Sequence, residues 1–399
     1  MRNKVRVFAA LALGLCLLAG CGSKTPDDYA TNKGYAGENR ADSAAKEEGN
    51  TEIDGNTGIA KEDIKVGVLY ITDPGEGSGY SYTHDLGIIG MQNNLGLTDA
   101  QIVRDIVDDE DSEATRASIE KLVADGCNVI FTTSWGYMQT TADMAEEYPD
   151  VYFSHGTGYL SNGRNFNNYF GRIYQPRYLS GIVAGMNTSS NMIGYVAAQD
   201  VSNSEVTGGI DAFALGVAAV NPDAKVYVVV TNSWYAPDKE EAASRKLLDM
   251  GCDVMAQHCD TPYPQTLAQE YGVYGVGYNS DMSKETPDSC LCSVVWNWSA
   301  YYTAAVSSVI NGTWDGSNYY GGMVEGVVNL TDTAAFAAEG TAERVAEATA
   351  DILRGTFNIF DGELKTNTGE TVGVAGGTLD DATITGGINW YYENVVVVE

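Results

Sequence analysis

The side chains best suited to chemistry gather just beyond short apolar runs. After Ile64–Ile71 comes Asp73-Pro74-Gly75-Glu76-Gly77-Ser78-Gly79-Tyr80-Ser81-Tyr82-Thr83-His84-Asp85, where glycines allow close backbone approach and Tyr80, Tyr82 and His84 alternate. No Gly-Lys-Ser/Thr follows, so this is not a phosphate-cradling loop. Later runs end in Thr133-Ser134-Trp135, Asn232-Ser233-Trp234-Tyr235, His258-Cys259-Asp260, Asn279-Ser280-Asp281 and Trp296-Asn297-Trp298. Four of the six tryptophans therefore stand at run ends beside Asn, Ser or Asp, where a strand core would have placed them inside. Flat rings with amides and carboxylates suit a planar solute: rings stack on its faces while Asp and Asn read its edge. For each tryptophan alone, plain loop packing is the alternative.

Catalysis has less support. The three histidines, His84, His155 and His258, all lie near run ends, and Asp85 or Asp260 could pair with one. No Gly-x-Ser-x-Gly elbow occurs. Among many acids, no carboxylate pair stands out for glycoside chemistry. Cys290 and Cys292, two apart in a strand, share a face and do not form a zinc-type pair, so neither metal nor cofactor is implied.

These loops need rigid elements beneath them. Apolar strand-like runs (Ile64–Ile71, Asn128–Thr132, Val151–Ser154, Met192–Ala197, Lys225–Thr231, Val254–Gln257, Val273–Gly277) alternate with helical patterns. The helical stretches are Tyr82–Leu95, Ser112–Asp125, Thr140–Glu147, Tyr178–Met186, Val206–Val220, Asp238–Met250, Thr266–Glu270 and Tyr301–Ile310. Such alternation predicts α/β architecture with parallel sheets and right-handed crossovers. The rhythm restarts once, and the length exceeds what one core serves, so two doubly wound lobes are expected. Ligands of such sheets bind at strand carboxyl ends, which places the loops around one cleft. Lobe 1 is expected over 64–187 with a return at about 294–325, and lobe 2 over 188–293 with about 326–399. Ala334–Leu353 reads as a long helix and Trp390–Val398 as a closing strand.

The N-terminus speaks to compartment. Arg2, Lys4 and Arg6 precede a short apolar run ending in Leu18-Ala19-Gly20-Cys21. This reads as a signal peptide over 1–20 that leaves Cys21 to carry lipid, followed by a polar tether over 21–63. The expected place is the extracytoplasmic membrane face. A net charge of −31, with 54 acidic against 23 basic residues, argues against nucleic acid, which needs clustered cations. Of seven cysteines, five remain beyond Cys21 (Cys127, Cys252, Cys259, Cys290, Cys292). They are expected as mostly buried thiols with one possible bridge.

Several of these segments together resemble the basic membrane protein family. They are the Cys21 lipobox, Gly79-Tyr80-x-Tyr82-x-His84-Asp85, Arg172-Ile173-Tyr174-Gln175-Pro176-Arg177-Tyr178-Leu179-Ser180-Gly181, Thr231-Asn232-Ser233-Trp234-Tyr235, Ala256-Gln257-His258, Gly277-Tyr278-Asn279-Ser280-Asp281-Met282 and Ser293-Val294-Val295-Trp296-Asn297-Trp298. The likeness spans about Lys65 to Ile310. It implies a substrate-binding lipoprotein of an ABC importer, a type I periplasmic-binding-protein clamshell, a membrane permease as partner, and a purine base or purine nucleoside as ligand. By that analogy Trp234 is the stacking aromatic and Asp281 the acidic reader at a strand end. Tyr80-Ser81 stands where relatives carry Phe-Asn, and the usual lysine near Trp296 is missing, which tilts the reading from ribose towards a free base such as adenine. A sugar or flavin as ligand, a sensing role and a secreted nucleosidase remain the alternatives.

Overall fold

The computed structural model describes residues 58–108 and 111–399. The signal sequence, Cys21 and most of the tether lie outside those residues. Gly58–Asp63, expected as tether, belong to the folded body: Ile59 N–H donates to Val309 O at 3.2 Å, and Gln101 Nε2 donates to the carbonyls of Lys61 and Ile64.

The chain builds two parallel sheets in succession. The first contains β1 (Val66–Tyr70), β2 (Ile102–Ile106), β3 (Val129–Thr132), β4 (Tyr152–Gly156) and β5 (Phe166–Gly171), in the spatial order β2-β1-β3-β4-β5. The second contains β6 (Met192–Ala197), β7 (Lys225–Val230), β8 (Val254–His258), β9 (Tyr274–Asn279) and β10 (Cys290–Trp296), in the matching order β7-β6-β8-β9-β10. Helices cover both sheets: α1 (Gly79–Leu95), α2 (Ser112–Ala124) and α3 (Met138–Glu147) follow strands of the first. The second carries α4 (Tyr174–Asn187), α5 (Ser204–Ala218), α6 (Pro237–Asp249) and α7 (Tyr263–Tyr271). A strand covered on both faces needs an unbroken apolar run, and β1 (VGVLY) is buried at every position. This is the two-lobed doubly wound α/β fold read from the alternation.

The chain then crosses back. Helix α8 (Trp298–Asn311) packs on α1, β11 (Tyr319–Gly321) joins the edge of the first sheet beside β5, and β12 (Val328–Leu330) pairs antiparallel with β10 of the second. Beyond α9 (Thr341–Leu353) come the hairpin β13 (Asp361–Lys365) and β14 (Thr371–Thr378), then α10 (Asp381–Gly386), and finally β15 (Val395–Val397), parallel to β7.

Four sequence expectations change here. The Ala334–Leu353 helix begins only at Thr341, because Gly340 at φ +83° interrupts it. The closing strand is only three residues long. Strands β2 and β5 were not anticipated: β2 is an edge strand alternating with charged residues, and β5 (FNNYFG) hides two buried asparagines. All five thiols are free and buried, so the bridge that sequence allowed does not form among them.

Helices α4 and α5 cross at two glycines. A Cβ at Gly181 would stand 2.0 Å from Phe213 O, and one at Gly216 would stand 2.0 Å from Tyr178 O. Only glycine lets these backbones touch.

Candidate functional site

Both sheets reverse strand order at equivalent points, β1/β3 and β6/β8, and crevices at such points are where ligands bind in open α/β sheets. The first sheet supplies α1. Its opening residue Gly79 has φ +83°, and a Cβ there would lie 3.0 Å from Asp260 O of the second sheet's β8 loop. The two lobes thus touch at the N-terminus of α1. One turn of that helix carries Tyr80 and His84, whose rings meet edge to face at 4.4 Å. Tyr80 donates to Thr133 O at 2.9 Å, which ties the helix to the β3 loop.

The second sheet answers with β8, β9 and the start of α5. Asp260 accepts from Asn279 Nδ2 at 2.7 Å and donates its N–H to Trp234 O at 2.9 Å. Asn279 sits at φ +68°, a left-handed conformation that asparagine tolerates. His258 lies edge-on to Trp234 and to Tyr278, and its Nε2 meets Glu205 Oε1 at 3.2 Å. Arg177, wholly buried, lies 4.1 Å over the Tyr278 ring and donates to Gln257 O at 2.5 Å.

Burial governs the electrostatics. It lifts Glu205 to about 7, with Arg177 opposing and Asp260 adding to the rise. It lifts Asp260 to about 7 as well, with the Asn279 hydrogen bond opposing and Glu240 adding. Burial drives His258 well below its ordinary value, helped by Arg177, and does the same to His84. Near neutral pH the site therefore holds neutral imidazoles beside two carboxyls poised to gain or lose a proton. Several buried polar atoms have no protein partner: His84 Nε2, His258 Nδ1, Asn279 Oδ1, Trp298 Nε1, and Nε and Nη2 of Arg177. Buried polar atoms are ordinarily hydrogen-bonded, so this set of donors and acceptors is suited to a polar ligand edge.

The residues anticipated from sequence fall into three groups. Tyr80, His84, Trp234, Asp260 and Asn279 come together where the lobes meet. Trp135 and Tyr235 lie exposed on the rim, Trp135 packing against Tyr159 at 5.9 Å. Tyr82 is half-buried further along, and Asp281 accepts from Ser283 N–H as a turn cap. Trp296, Asn297 and Trp298 lie in the crossover between β10 and α8, where Trp298 backs onto His84. Trp298 is fully buried between His84 (4.6 Å, 9°) and Trp296 (4.4 Å, 10°), so both its ring faces are already covered. Asn297 donates to Gly326 O. The run-end rule read these tryptophans as ligand-facing, whereas strand-to-helix crossovers between lobes also need packing.

Glu205, Arg177 and Tyr278 were missed as site residues. Glu205 stands in the first turn of α5, beyond a mostly polar loop after β6, residues 199–203, that carries no aromatic residue to mark it. Neither anticipated His–Asp pair forms. Asp85 is engaged by Tyr70 and Arg104, and His84 by the Tyr302 hydroxyl. Among the described residues no cluster of three His, Cys, Asp or Glu is arranged to hold a metal, and no helix is long and apolar enough to cross a membrane.

Comparison with known proteins agrees with this geometry. Residues 64–356 match the Bmp family model, described as ABC transporter substrate-binding protein, PnrA-like. A purine-binding protein of Brucella abortus is 36% identical over 344 residues, covering 86% of this chain and 95% of that protein. A putative ABC transporter glucose-binding protein of Haloferax volcanii is 33% identical over 309 residues, 77% of each. Among solved structures, an ABC transporter solute-binding protein from Conexibacter woesei superposes with a TM-score of 0.61 at 18% identity, covering 74% of this chain and 98% of that one.

Proposed function

The chain belongs to the Bmp family of PnrA-like ABC transporter substrate-binding proteins, and from that premise we propose that it captures a purine between its lobes and delivers it to an importer's permease. A free base such as adenine is the favoured ligand, ahead of a nucleoside. The observation that carries this is the constellation at the two switch points. There Gly79 of one lobe abuts Asp260 of the other, and Tyr80, with His84 beside it, feels the charges of Glu205 and Asp260. Trp234, His258 and Asn279 pack around those two carboxyls. Aromatic rings serve the faces of a flat base, and the carboxyls, an amide and imidazole nitrogens serve its edge. The purine-binding relative supports the same ligand class. Lobe 1 would run from residue 64 to the α4 crossover, and lobe 2 from there to β10, with the later segments returning to each.

Ligand contacting both lobes favours the form in which they touch, by its differential affinity for that form. Thermal unfolding with adenine, guanine, hypoxanthine, their nucleosides, riboflavin, ribose, galactose and glucose tests the assignment. A ligand at 100 times its dissociation constant adds about 2.7 kcal/mol of stability. A shift with purines, and unchanged purine recovered afterwards, supports a receptor and not a nucleosidase. A shift with sugars alone, as the halophile relative's name suggests, would overturn the purine assignment. We also propose that Cys21 carries lipid and holds the protein on the extracytoplasmic face. Full-length protein should partition into detergent, and Cys21→Ser should abolish that.

A further inference from the structure

The family match ends at residue 356, and residues 357–399 lie beyond it. Helix α10 rides on the second lobe: Ile384 and Ile388 pack within 4 Å of where a side chain at Gly208 of α5 would begin. Further on, Tyr392 N–H donates to Asp211 at 2.7 Å, and β15 extends the second sheet beside β7. At the start of α10, Asp381 reaches back to Arg172. That pair is bidentate, Nε to Oδ1 at 3.1 Å and Nη2 to Oδ2 at 2.6 Å.

Arg172 belongs to the first lobe. Its N–H donates to Gly321 O, continuing the β5–β11 ladder, and its Nη1 donates to Tyr320 O at 2.7 Å. It is also the first residue of the β5–α4 crossover. Glu325, on the β11–β12 crossover, lies 3.8 Å from the same Nη1. One guanidinium thus joins two of the three lobe-to-lobe crossovers to a tail seated on the second lobe. The side chains are 18% and 40% exposed, so the pair is only partly screened by solvent.

We propose that residues 357–399 form a strap across the hinge, clasped by Arg172–Asp381, which limits how far the lobes open and so sets ligand affinity. This rests on the clamshell reading above. Opening by rotation about the crossovers would swing Arg172 with the first lobe away from Asp381 on the second. Without the clasp the open form gains population, and apparent affinity falls by the fraction of closed, binding-competent form that is lost.

The test uses the full folded body with one spin label on each lobe, at Asp143→Cys in α3 and Ala242→Cys in α6, since the native thiols are buried. Distances are measured without ligand, and adenine affinity is measured in parallel. Asp381→Asn should broaden and lengthen the distance distribution and raise the apparent adenine dissociation constant roughly tenfold, while Asp381→Glu should keep both near wild type. Unchanged distances in Asp381→Asn would overturn the strap, even if melting temperature fell, because a purely structural contact would lower stability alone. Wild type that ignores adenine would refute the ligand assignment, and the ligand-free distances would still decide the strap.

Discussion

Glu205→Gln makes the electrostatics of the cleft measurable. In the folded protein this carboxyl titrates near 7 because burial and Asp260 disfavour its charge, with Arg177 only partly compensating. In the unfolded chain it releases its proton near the ordinary glutamate value of about 4.3. Between those two values the native state holds a proton that the unfolded state has lost, so stability falls as pH rises. A displacement of this size corresponds to about 4 kcal/mol at 1.36 kcal/mol per pH unit. The stabilising balance is intact below about pH 4 and is lost by about pH 8. Glutamine keeps the shape and cannot ionise. The variant should therefore melt near wild type at pH 4.5 and several degrees above it at pH 8, on the order of 5 °C for a chain of this size. Differential scanning calorimetry without ligand reads this directly. An equal gap at both pH values would show that Glu205 is solvated and ionised in the fold, and the reasoning for a desolvated cleft would fail.

Other outcomes follow from single contacts. Trp234→Ala, which removes the ring beside His258 while leaving its backbone bond to Asp260, should weaken purine binding at least tenfold with little change in melting temperature, as titration calorimetry would show. Gly181→Ala would drive a methyl into Phe213 O and should lower stability by more than about 3 kcal/mol or prevent folding, seen as lost soluble yield or a shifted denaturation midpoint. The five buried thiols, with Cys127 and Cys290 pushed to about 11 and Cys252 to about 12 by burial, should resist alkylation at pH 8 in the native protein and react together on unfolding.

How much was legible in the sequence divides by physical cause. Strands buried on both faces announce themselves as apolar runs, so β1, β3, β6 and β8 were readable within a residue or two; β7 was readable from its valine run although only Val226 and Val228 are buried. Strand β5 was not, because Asn167 and Asn168 are buried by specific hydrogen bonds to Tyr301, Ser317 and His155, which no periodicity reveals. Run ends named Tyr80, His84, Trp234, Asp260 and Asn279, which lie close to one another where the lobes touch, because strand carboxyl ends converge in this topology. They also named Trp296 and Trp298, whose rings are covered by each other and by His84, since a crossover between lobes satisfies the same pattern. Glu205 and Arg177 became visible only once β6/β8 was known to be the switch point and α4 was seen lying against β8. Spacing along the chain carries no trace of either neighbourhood.

The central claim is that the touching faces of the two lobes bind a purine. Titration calorimetry of the folded body against adenine, with adenosine and glucose alongside, tests it most directly. The account predicts one saturable adenine site per chain, weaker or absent for adenosine, lost in Trp234→Ala and in Asp260→Ala alike. Saturable glucose binding with no response to any purine would contradict it.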